Sequence, residues 1–252
     1  MADTVLYRRE GHIGYLVLNC PERHNALGGE ELALIQQHLD SVAAEEQVRV
    51  LVLTGEGEKT FCAGASLQQL GAGRLSNDAF REVTGRLESL AIPTICAMNG
   101  HVFGAGVELA LGCDFRIGVE GSRMRVPAAA IGICYPPTGI ERLVNSLGVS
   151  VARRILLAAE VFDARAMLEI GFIDRLVLPG GLQEASREFA EQIAGLAPLA
   201  VRSMKSILGQ VVAGEVDNEQ ARQMAIICAE SVDLAEGLAA QKEKRQPRFK
   251  GA

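Results

Sequence analysis

The chain has 252 residues, of which 48% are hydrophobic and 22% charged, enough to bury a large core in one domain or in one domain with a smaller appendage. Its formal net charge of -6 lacks the basic balance that a general nucleic-acid binder needs. No apolar run approaches the roughly 20 residues of a membrane-spanning helix, and the opening Met1-Ala2-Asp3-Thr4 lacks a signal peptide's layout, so a cytoplasmic protein is expected.

In chain order, Val5–Arg9 and Ile13–Leu18 flank a Glu10-Gly11-His12 turn and predict a hairpin. Leu32, Ile35, Leu39 and Val42 recur at helical spacing, and Val48–Leu53 then reads as a buried strand ending at Thr54-Gly55. Strand, helix and strand in succession predict an α/β layered architecture. Two further strands are expected at Thr94–Met98 and Phe115–Val119. From Leu182 the pattern turns helical, over Leu182–Leu196, Leu199–Val212 and Asn218–Leu238. The expected division is a core over 1–192 and a helical subdomain over 193–252.

Cysteines 20, 62, 96, 113, 134 and 228 contain no Cys-x-x-Cys pair, and the four histidines miss zinc-ligand spacing. Free, mostly buried thiols and no metal are expected. Two glycine-punctuated segments carry the chemistry. In Phe61–Leu67, small residues at 62–66 either pack closely or let a ligand lie against the main chain, with Gly64 free to adopt unusual backbone angles. Asn99–Ala110 joins a strand to a helix whose first-turn N–H groups lack helical partners and suit developing negative charge. Glu108 there either complements the helix dipole or serves as a catalytic carboxylate, and its apolar neighbours Val107 and Leu109 favour the second role. A dinucleotide fingerprint fails, because Leu109 stands at the third glycine of Gly104-Ala105-Gly106-Val107-Glu108-Leu109. Neither a phosphate-binding P-loop nor a G-x-S-x-G nucleophile elbow is present.

Five elements in order resemble the crotonase, or enoyl-CoA hydratase/isomerase, family over nearly the whole chain: Asn19–Leu27, Phe61–Leu67, Asn99–Ala110, Gly171–Val177 and Glu243–Gly251. The resemblance implies a spiral of ββα units, a C-terminal trimerisation region, a homotrimer or dimer of trimers, and an acyl-CoA thioester substrate with no separate cofactor. By position it assigns the N–H groups of Ala65 and Ala105 to an oxyanion hole for the thioester oxygen. Ala63 and Leu67 would contact CoA, Arg23 would lie near its phosphates, and Phe249 and Lys250, from a neighbouring subunit, would close over the nucleotide.

Family hydratases use two glutamates. Glu108 matches the first, but Pro127-Ala128-Ala129-Ala130-Ile131-Gly132 places Ala128 where the second belongs. Losing one acid or base typically costs about 10²–10⁴ in rate. Tyr135 either compensates or fills the acyl pocket, and a similar tyrosine occurs in decarboxylase-like members of the family. Glu141 is either a distant compensating carboxylate or, beside Arg142 on a helix, a surface ion pair, and the second reading is favoured. The readings carried forward are an enoyl-CoA hydratase-like lyase, a malonyl-type decarboxylase and a silent acyl-CoA binder. RNA binding is disfavoured because Glu30–Glu46 contains no lysine or arginine. The distal acyl pocket is expected around Leu70–Phe80 and Tyr135.

Overall fold

The computed structural model describes residues 3–73, 75 and 77–252; of the positions singled out above, Met1, Ala2, Arg74 and Ser76 lie outside them. β1 (Val5–Glu10) and β2 (Ile13–Leu18) form the expected antiparallel hairpin, with Gly11 at φ +59° in its turn. After α1 (Gly29–Ala44) comes β3 (Val50–Gly55), parallel to β2. The chain then repeats one unit, a strand in each of two sheets followed by helix. The first is completed by β4 (Thr60–Cys62), α2 (Leu67–Gly71) and α3 (Asn77–Glu88). The second is β5 (Thr94–Met98), β6 (His101–Phe103) and α4 (Ala105–Leu111). The third is β7 (Phe115–Val119), β8 (Arg123–Arg125) and α5 (Pro137–Leu156), the last kinked at Gly148. β9 (Phe162–Asp163), α6 (Ala164–Glu169) and β10 (Arg175–Val177) complete the sheets, whose orders are β1-β2-β3-β5-β7-β10 and β4-β6-β8-β9. This is the spiral of ββα units.

The inner strands read as continuous apolar runs because both faces of the larger sheet are covered. Side chains alternate between the faces. Leu51, Leu53, Cys96 and Met98 join Leu32, Ile35 and Leu39 of α1 and Val83 and Leu87 of α3 in one core. Val50, Val52, Ile95 and Ala97 join a second core with Leu182, Ala190 and Ile193 of α7 (Leu182–Ala194). Each fully buried leucine or isoleucine contributes about 1.5–3 kcal/mol.

α8 (Pro198–Ala213), α9 (Asn218–Glu230) and α10 (Val232–Glu243) finish the chain. Asn218–Leu238 is therefore not one helix. Ser231 sits at ψ 151° and caps α10 by accepting from the Leu234 N–H at 3.2 Å. Ile193 and Ala194 of α7 pack in the second core, and α7 ends at its C-cap, Gly195. Lys205 of α8 fastens this region to the sheet: its Nζ donates to Asp114 Oδ2 at 2.7 Å and to the Ile92 carbonyl at 2.8 Å. Asp114 Oδ2 also accepts from the Thr94 N–H at 2.7 Å. All six thiols are free; Cys20, Cys62, Cys96 and Cys113 are buried, while Cys134 is exposed. No described helix is long and apolar enough to cross a membrane.

Candidate active site

The first donor strand is set by a segment nearly forty residues upstream. Leu27 N–H donates to the Gly64 carbonyl, and Ser66 N–H to the Leu27 carbonyl, both at 2.8 Å, forming a single parallel bridge between Leu27 and Ala65. Alternate peptide groups of an extended chain point to opposite sides, so the Ala65 N–H faces away from Leu27. The clamp is held by Asn25, 1% exposed, whose Nδ2 donates to the Glu56 and Thr60 carbonyls and whose Oδ1 accepts from the Cys20 N–H. Asn99 braces the neighbouring loop, accepting from the Gly55 N–H and donating to the Gly57 carbonyl. The asparagines of two family motifs are thus main-chain braces.

Gly64, at φ +84°, brings the two motif segments together. A Cβ there would lie 2.6 Å from the Phe103 carbonyl oxygen and 2.8 Å from the Ala105 nitrogen. Gly104, at φ 52° and ψ -125°, turns the chain into α4, making Ala105 its first residue. Among the described residues, no hydrogen bond takes up the N–H of Ala65 or of Ala105. Two free donors on adjoining segments are what an oxyanion hole requires.

Glu108, one turn into α4, is 6% exposed. Its Oε1 accepts from Arg142 Nη1 at 3.0 Å, and Arg142 Nη2 reaches Glu88 Oε2 at 2.9 Å. Glu141, read as that arginine's surface partner, is exposed, and Arg142 turns inward instead. The corrected pairing follows from helix geometry: Gly139, Arg142 and Leu143 share the inner face at a spacing of three or four, whereas Glu141 lies off it. That spacing is the signal by which sequence reasoning could have found Arg142.

Tyr135, just before α5, places a buried Oη beside the Glu108 carboxylate, outside hydrogen-bond geometry, with no partner among the described residues. A Cβ at Gly139 would lie 2.5 Å from the tyrosine Cε1 and 2.7 Å from Glu108 Oε2, so only glycine leaves room for both. Burial raises the Glu108 pKa above the usual carboxylate value, with Arg142 pulling the other way. Burial, and then the Glu108 charge, push the Tyr135 phenol well above its ordinary value. Ala128 is buried at 9% exposure and has no group able to exchange a proton.

Ala63 lies in the same loop, its N–H donating to the His24 carbonyl at 3.0 Å, and Leu67 opens α2 with its side chain 67% exposed. The other expected contacts do not gather here. Arg23 Nη2 donates to Glu31 Oε1 at 2.8 Å, and Glu31 in turn accepts from the Gly28 N–H at the start of α1. Phe249 and Lys250 pack against the C-terminal helices: the Phe249 ring faces Gly237, and the Lys250 N–H donates to Asp233 Oδ1. Among the described residues no cluster of three or more histidine, cysteine or acidic side chains could hold a metal.

Residues 8–252 match the family model described as enoyl-CoA hydratase/isomerase. The chain is 33% identical over 257 residues to the 2,3-dehydroadipyl-CoA hydratase of Escherichia coli, covering all of both proteins. It is 29% identical over 255 residues to the short-chain-enoyl-CoA hydratase of Clostridium acetobutylicum, covering 97% of this chain and 96% of that one. The crystal structure of an enoyl-CoA hydratase from Bacillus anthracis superposes with a TM-score of 0.89 at 32% identity, covering 99% of this chain and 100% of that one.

Proposed function

The chain belongs to the enoyl-CoA hydratase/isomerase family, and from that premise we propose that it is an enoyl-CoA hydratase-like lyase working with one carboxylate. The observation that carries this reading is the pair of free N–H groups at Ala65 and Ala105 together with a buried Glu108. The two donors hold the thioester oxygen as it gains negative charge; removing one such donor typically costs about 10²–10³ in kcat. Glu108 takes a proton from water as the oxygen adds to the β-carbon, and returns it to the α-carbon of the enolate. One carboxyl group closes this proton balance, so the methyl of Ala128 slows the reaction without forbidding it.

A second reading, decarboxylation of a malonyl-type thioester, is favoured by Ala128 and by the unpartnered Tyr135 hydroxyl. Decarboxylation also passes through a thioester enolate, as carbon dioxide leaves the α-carbon and a proton from solvent takes its place, but it needs no base to activate water. Incubation with a mixed acyl-CoA library, read by mass, separates the two as a gain of water or a loss of carbon dioxide. Hydration that falls by about 10²–10⁴ in Glu108→Ala supports the first reading. Acyl-CoA binding without either mass change replaces both with a silent binder.

Ala63, Leu67, Arg23, Phe249 and Lys250 are assigned to CoA by family position. Arg23 is the weakest fit, since Glu31 already engages its guanidinium. The proposal includes a cytoplasmic location and no cofactor beyond the CoA of the substrate. Residues 193–252 are assigned to a homotrimer or dimer of trimers. What supports this is the exposure of Met204 at 57%, Leu208 at 64%, Val212 at 62% and Leu238 at 61%, apolar surface that a partner copy would cover. Sedimentation equilibrium tests the assembly.

A further inference from the structure

We propose that Arg142 is a positioning residue for Glu108, fixing one carboxylate oxygen and leaving the other as the reacting atom. The proposal rests on Glu108 being the acid/base of the reaction described above. Arg142 spans two carboxylates on different helices: Nη1 holds Glu108 Oε1 at 3.0 Å, and Nη2 holds Glu88 Oε2 at 2.9 Å. The arginine side chain is 10% exposed and that of Glu108 7%, whereas Glu88, at 55%, anchors the far end near solvent. The geometry is one-sided. Oε1 is occupied, while Oε2 lies in the space that Gly139 keeps open beside Tyr135.

The guanidinium gives up a hydrogen bond to hold this position. Arg142 Nε is buried and has no partner among the described residues. Buried donors are usually satisfied, and an unmade bond marks a side chain constrained elsewhere. A purely structural arginine on α5 would be served by Glu88 alone, without entering the apolar surroundings of Glu108.

The elements packed against α4 bring few competing charges. α3 contributes Glu88, α5 contributes Arg142, and Tyr135 stands at the entrance to α5. On β4, Cys62 lies against Gly106 with its thiol pushed up by burial to about 12. On β6, His101 Nδ1 turns to the Arg123 N–H. Burial favours the neutral carboxyl and Arg142 favours the carboxylate, so Arg142 keeps the proton acceptor in its charged form.

The test is a titration of Glu108 in the substrate-free protein, by NMR of carboxyl-labelled glutamate assigned with Glu108→Gln. Arg142→Gln and Arg142→Met should raise the midpoint by about 1–3 pH units. Arg142→Lys, which keeps the charge, should restore most of that shift. The acid limb of the pH–rate profile should move with the titration. An unchanged midpoint in the neutral variants overturns the proposal, even if their thermal stability drops. If the neutral variants do not fold, Glu88→Gln decides: removing the competing anion should lower the midpoint, and a midpoint that stays or rises refutes the linkage. Absence of turnover on every acyl-CoA would overturn the proposed reaction while leaving the titration to judge Arg142 separately.

Discussion

Gly64→Ala puts the proposed oxyanion hole under direct strain. The new methyl would lie 2.6 Å from the Phe103 carbonyl oxygen, against ordinary contact at 3.4 Å, so one segment must retreat by about 0.8 Å. The nearby Ala105 nitrogen, 2.8 Å from the same methyl, must retreat with it. At φ +84°, an alanine also costs about 1–2 kcal/mol in backbone strain. Overpacking adds about 1–3 kcal/mol, and together these predict a Tm lower by roughly 4–20 °C for a chain of this size. The catalytic effect should exceed the loss of folded protein. A displacement near 1 Å can cost about 10²-fold through misplaced groups, and loss of one donor costs a similar factor. Steady-state kinetics on the best enoyl-CoA substrate, below the variant's melting range, should show kcat lower by about 10²–10³. Turnover within threefold of wild type, with the variant folded, would refute the claim that Gly64 sets the spacing of the two donors.

Ala105→Pro separates donor from scaffold. Proline is at home at the first position of a helix but carries no N–H, so kcat should fall by about 10²–10³ while the circular dichroism spectrum is retained. Equal turnover would remove Ala105 from the hole. The C-terminal clasp should respond to pH. Glu236, held by Arg245 and by the Arg248 N–H, has its pKa lowered to about 2. A depressed carboxyl pKa contributes stability that is present above the unfolded value near 4.3 and is lost as pH falls toward about 2. Amide exchange around 245–252 should therefore accelerate over that window in the wild type and be fast throughout in Glu236→Ala; identical protection in both would refute it.

The larger sheet was legible because β3, β5 and β7 are buried on both faces and so carry unbroken apolar runs. The smaller sheet was not, since β4, β6 and β8 have three residues each and β9 two, too short for any period to register. Glu108 could be singled out because a carboxylate between Val107 and Leu109 conflicts with its surroundings. Its partner is harder to read: Arg142 is 34 positions away, and an adjacent Glu141 offers a local pairing that tertiary structure rejects, so only the spacing of Arg142 from Gly139 points to the inner face. The five motifs pointed to the family, although the roles of Asn25 and Asn99 as backbone braces emerge only once their loops are brought together.

The bridge from Leu27 to Ala65 gives the proposed active centre a stability of its own. Proteins open locally in cooperative units whose free energies lie well below that of global unfolding. Segment 24–27 reaches the donor loop through a few hydrogen bonds, so its release would free the Ala65 peptide to rotate while both hydrophobic cores stayed packed. Heat or mild denaturant would then silence the enzyme before melting it, with activity reporting on the docking of this one N-terminal segment.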